Sequence, residues 1–81
     1  MGGRFSNVRP MSDFNIEIGK RVRDARKRSG KTQKELATAL DRTQSNMSQL
    51  ESGDVEWSAH VVAQIARILD VHLSELWPPD A

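Results

Sequence analysis

Between Thr32 and Gly53 the chain reads TQKELATALDRTQSNMSQLESG, two short helical patterns parted by a break at Asp41–Thr43. Leu36, Ala37 and Leu40 recur at helical spacing before the break, and Met47 and Leu50 recur after it. Thr32 and Thr43 stand where N-caps belong, and each is followed by a glutamine, Gln33 or Gln44, as first helical residue. A turn this tight leaves the two helices a fixed corner and little else. The side chains left polar on the second helix are Gln44, Ser45, Ser48 and Gln49. Short amides and hydroxyls of this kind pair with base edges in a major groove. The segment predicts a rigid helix pair whose second member carries an uncharged reading face.

The rest of the chain gives that pair limited support. Eighty-one residues make one small domain, near the lower limit for a self-sufficient core. With no cysteine and no His/Cys cluster, neither a disulfide nor a metal can brace it, so helix packing must. No cofactor or metal is expected. His60 and His72 are lone histidines without a ligand constellation and read as surface or cap residues. Nothing in the chain resembles an activated nucleophile, carboxylate dyad or phosphate loop, so an enzyme is not expected. No apolar stretch approaches the roughly 18 residues needed to span a bilayer, and the N-terminus lacks an apolar signal core. The expected location is therefore the cytoplasm, away from membranes.

Charge is divided unevenly. Residues 1–42 hold eleven of the twelve Lys and Arg residues against five acids, whereas residues 43–81 keep Arg67 alone against six. A molecule split this way presents one face to a polyanion and turns the other from it.

Residues 1–13 carry Gly2, Gly3, Ser6, Asn7, Pro10 and Ser12 with little apolar periodicity, and read as a mobile leader. Its Arg4 and Arg9 make it either a disordered start or a basic arm reaching into DNA. The folded domain is expected over residues 14–78, with a tail at 79–81. A first helix is predicted over about Phe14–Ser29, with Phe14, Ile18, Val22 and Ala25 inward and Gly30 as its C-cap glycine. The second and third are predicted over Gln33–Leu40 and Gln44–Ser52, the latter closed by Gly53. A fourth starts at the N-cap Ser58 and turns Val61, Val62, Ile65, Ala66 and Leu69 inward as far as Asp70. Ser74–Trp77 form a short fifth helix stopped by Pro78 and Pro79. The expected class is all-α, five helices around one core.

From Ile18 to Trp77 the chain resembles the phage repressor and Cro-like helix-turn-helix family, the XRE type. The resemblance rests on Ile18-Gly19, Val22, Arg26, Gly30, Thr32-Gln33, Glu35-Leu36-Ala37, Leu40, Ser45, Leu50-Glu51, Gly53, Ser58, Ile65-Ala66, Leu69, Val71, Leu73 and Glu75-Leu76. It implies a lambda-repressor-like fold that docks on double-stranded DNA with the second helix of the pair in the major groove, as in the phage repressors of this family. Gln44 then looks like a base reader, with Ser45, Ser48 and Gln49 facing the same groove. Gln33 looks like a phosphate binder, and in relatives with this spacing it touches Gln44. Thr32, Lys34, Arg42 and Thr43 are the further phosphate candidates. In the family an arginine of helix 1 pairs with the glutamate closing helix 3, so Arg26 and Glu51 are expected to form a structural ion pair.

Several positions depart from that pattern. Lys31 stands where an apolar residue usually precedes Thr-Gln, and Asp41-Arg42 replaces the usual Gly plus aliphatic at the corner. Asp accepts the left-handed conformation better than most residues, so the turn survives. The loop Asp54-Val55-Glu56-Trp57 is acidic where relatives often carry Lys or Arg, which argues against its hugging DNA and for its facing a partner subunit. Trp57 and Trp77 are either core residues or a dimer interface near the acidic end. The resulting expectation is a small transcriptional regulator, a repressor, acting as a homodimer on a palindromic operator. The rival is an antitoxin or adaptor whose acidic half grips a protein partner.

Overall fold

Hydroxyl side chains start three of the helices. In the computed structural model, which describes residues 13–78, the elements are α1 (Asp13–Arg28), α2 (Gln33–Ala39), α3 (Gln44–Ser52), α4 (Ala59–Leu69) and α5 (Leu73–Leu76). Thr32 Oγ1 accepts from the Glu35 N–H at 3.0 Å while the Glu35 carboxylate accepts from the Thr32 N–H at 2.8 Å, a complete capping box on α2. Thr43 Oγ1 caps α3 by accepting from the Asn46 N–H at 3.0 Å, and Ser58 caps α4 through the Val61 N–H at 3.2 Å. Every described residue in regular structure is helical.

Boundaries differ from expectation by one residue at most. α1 begins at Asp13, not Phe14. α5 runs Leu73–Leu76 in place of Ser74–Trp77, because the Trp77 N–H bonds the Leu73 carbonyl at 2.8 Å and closes the turn there. The possible basic arm of residues 1–12 and the tail at 79–81 lie outside the described residues.

Left-handed residues stop the helices. Gly30 and Gly53 end α1 and α3 with φ of 74° and 84°. Asp41 and Asp70 take φ of 59° and 58° after α2 and α4, so the corner does turn on an aspartate where glycine is commoner.

The core follows the predicted stripes. Ile18, Val22, Leu36, Met47, Val62, Ile65 and Leu76 are wholly buried, one or more from each helix. Phe14 and Trp77 pack edge to face at 5.0 Å between ring centroids, pinning the residue that closes α5 to the start of α1. Gly19 sets how closely α1 crosses α3: a Cβ there would meet the Leu50 carbonyl oxygen at 2.9 Å and overlap that of Glu51. Only glycine allows the two backbones this approach.

Candidate nucleic-acid interface

The turn between α2 and α3 orients the second helix so that Met47 and Leu50 enter the core and the opposite face meets solvent. On that outer face Gln44, Ser45, Ser48 and Gln49 are all exposed. No hydrogen bond among the described residues occupies the side chains of Gln44, Ser45, Ser48 or Gln49, so their donors and acceptors remain available. Asn46 lies on the flank, half-buried, and accepts from Arg42 Nη1 at 2.9 Å. Arg42 is thus exposed yet anchored, one turn ahead of its partner.

Thr32, Lys34, Arg42 and Thr43 are all exposed at the α2 start and the corner. The Thr43 hydroxyl accepts its cap bond, which leaves its O–H hydrogen for an outside acceptor. Gln33 is half-buried and does not bond Gln44. Its amide Nε2 donates to Glu51 Oε1 at 3.1 Å instead. The reason is charge: a buried carboxylate attracts a donor more strongly than a neutral amide does.

Glu51 is the hub of this arrangement. Arg26 Nε donates to Oε2 at 2.7 Å and Nη2 to Oε1 at 3.1 Å, a two-point bond between side chains that are both buried. Arg26 Nη1 also donates to the Lys31 carbonyl at 3.0 Å, just past the end of α1. The pair therefore ties α1 to the last turn of α3, and Gln33 ties α2 into the same carboxylate. Beside it runs an open groove of about 230 Å³, with Arg23 and Lys27 on the α1 wall and Ser48 and Ser52 on the α3 wall.

For Trp57 the structure decides between core and interface in favour of the core. Trp57 is 5 % exposed, and its indole Nε1 donates to the Leu50 carbonyl at 2.9 Å. Its own N–H bonds Asn15 Oδ1 at 3.2 Å. A residue so enclosed beneath the end of α3 offers a partner almost no surface. Trp77 is half-buried against Phe14. Asn15 went unnoticed in the sequence, where an asparagine in the first turns of a helix looks like a solvent residue; only the fold puts the Trp57 N–H opposite it. Asp54 and Glu56 are exposed on either side of half-buried Val55.

A family profile described as "Helix-turn-helix domain" matches residues 17–76. The competence pilus inhibition repressor of Acinetobacter baylyi is 34% identical over 62 residues, 76% of this chain and 56% of the relative. The chain thus spans about half the length of that relative. Among solved structures, the clp gene regulator ClgR from C. glutamicum superposes with a TM-score of 0.76 at 26% identity, covering 80% of this chain and 84% of that one. The restriction-modification controller protein C.AhdI from Aeromonas hydrophila gives a TM-score of 0.70 at 27% identity over 76% of this chain and 90% of that one.

Proposed function

We propose that this chain, which belongs to the helix-turn-helix domain family of DNA-binding regulators, reads a specific duplex sequence with α3 in the major groove. The observation that carries this reading is the outer face of α3: four exposed amide and hydroxyl side chains, uncharged, on a helix locked by the Arg26–Glu51 pair. Gln44 stands at the leading tip. Its amide matches the donor and acceptor of adenine, a pairing worth roughly 1–3 kcal/mol of discrimination. Ser45 and Gln49 supply further contacts along the groove, while Thr32, Gln33, Lys34, Arg42 and Thr43 flank it toward the phosphates, as does Ser48 on the side of the helix that faces α1. Likeness to a protein described as a repressor favours repression over activation.

The assembly is a homodimer on a palindromic operator, with half-sites about 34 Å apart, one turn of the duplex. Burial of Trp57 removes one of the features that pointed to a protein-docking face, leaving the exposed Asp54 and Glu56 and the half-buried Trp77. The DNA reading is therefore the better supported. Selection of bound sequences from a random duplex pool identifies the operator. Anisotropy titrations of that duplex and a scrambled one, across a salt series, then test the reading. Equal affinity for both duplexes, or an affinity indifferent to salt, refutes it. Sedimentation with and without the duplex tests the dimer.

A further inference from the structure

The groove between α1 and α3 has a role that its charges define. Within it Glu51 is matched by Arg26, so this pair adds no net charge. Arg23 and Lys27 lie four residues apart on α1, both exposed, and none of the ion pairs among the described residues engages either one. Two positive charges thus stand uncompensated on one wall. On the facing wall, the Ser52 hydroxyl donates to the Gln49 carbonyl at 3.1 Å, whereas the exposed Ser48 hydroxyl keeps its donor. The loop that follows α3 carries exposed Asp54 and Glu56, so the cations beside α3 at this end come from α1.

We infer that Arg23 and Lys27 form a phosphate-binding wall, gripping the backbone of the same duplex whose bases α3 reads, with Ser48 donating to that phosphate across the groove. The inference rests on the DNA-binding reading above and adds to it a contact made by the first helix. A guanidinium, an ammonium and a hydroxyl converge here from two elements that the Gly19 crossing holds together. A diester phosphate suits this set: it carries one charge, and its free oxygens accept from all three groups. Such contacts raise affinity for every sequence alike and add to its salt dependence.

The test compares wild type with R23Q/K27Q on the selected duplex and on a scrambled duplex, from about 50 to 200 mM salt. The double variant should bind both duplexes at least roughly tenfold more weakly at the low-salt end. The slope of log affinity against log salt should fall by about 1 to 2. S48A should weaken both duplexes equally. Arg67→Gln, on α4, should leave the slope unchanged. Because these side chains are exposed and unpaired, melting temperatures should match wild type. An unaltered slope in R23Q/K27Q while wild type still discriminates overturns this inference and spares the DNA reading. Failure of wild type to prefer either duplex overturns both. If inorganic phosphate at fixed ionic strength displaces the duplex from wild type while the variant's slope is unaltered, the groove belongs to a free phosphorylated ligand and the inference again falls.

Discussion

A carboxylate as enclosed as that of Glu51 is tolerated only when its charge is matched and its lone pairs are satisfied. Arg26 and Gln33 together give it three N–H donors. Removing one half should therefore cost more than the intact pair contributes: Glu51→Ala or Arg26→Ala should lose about 3–5 kcal/mol in urea unfolding. The double replacement R26M/E51L should recover much of that loss, because no buried charge is left alone. A double variant as unstable as either single would contradict this account. Glu35 makes a contrasting case in full solvent. The Thr32 N–H, and after it the Thr32 hydroxyl, hold the Glu35 carboxyl below its usual range. A depressed folded value means that the unfolded chain binds the proton more readily. The stabilisation is then complete above the free carboxyl's pKa, about 4.3, and is lost as pH falls through the folded value. Melting curves between pH 7 and pH 3 should show a shallower acid decline for Glu35→Gln than for wild type. Parallel declines would mean that the capping box contributes nothing through its charge.

Among the elements, the α1–α3 crossing is the most exacting. Gly19→Ala puts a methyl group against backbone carbonyls that cannot rotate away. It should destabilise the fold by about 1–3 kcal/mol. It should also weaken duplex binding beyond what the lost stability explains, since α3 must tilt to make room. Melting and anisotropy on the same preparation separate the two effects. Gly19 also shows where the sequence becomes hard to read. Caps at Thr32, Thr43 and Ser58 were legible because each is a local event, a hydroxyl and an N–H three residues on. Apolar stripes were legible because helical periodicity is local too. The need for a glycine at 19 arises 31 residues away, at Leu50, and leaves no trace in its own neighbourhood. Trp57 was left between core and interface for the same reason. It sits between helices, where no period applies, and its acidic neighbours suggested a surface that the Leu50 carbonyl and Asn15 deny. The Gln33 amide was read toward Gln44 because pattern shows spacing, while the competing carboxylate becomes visible only when α1, α2 and α3 meet.

At the scale of the molecule, three cations of the described basic half are held in ion pairs. Arg21 and Arg28 are spent on Glu17 and Glu75, and Arg26 on Glu51, so the surface charge available to a polyanion is smaller than the sequence suggests. Lys20, Arg23, Lys27, Lys34 and Arg42 remain exposed outside those pairs, and the loop after α3 opposes them with Asp54 and Glu56. Reversing that loop in D54K/E56K should raise affinity for scrambled and selected duplexes together and steepen the salt dependence, narrowing the discrimination between them. An unchanged affinity would place the loop clear of the backbone. On the proposed reading, discrimination by wild type owes something to a repulsion that strengthens no contact. The Gly19 crossing carries a practical lesson for redesign. Since α3 is wedged against a neighbour that yields to nothing larger than hydrogen, its aim is inherited rather than adjustable. New target preferences should be reached by transplanting tip residues at 44, 45 and 49 onto the unaltered scaffold, and attempts to re-angle the rod by repacking beneath it should cost stability and affinity together.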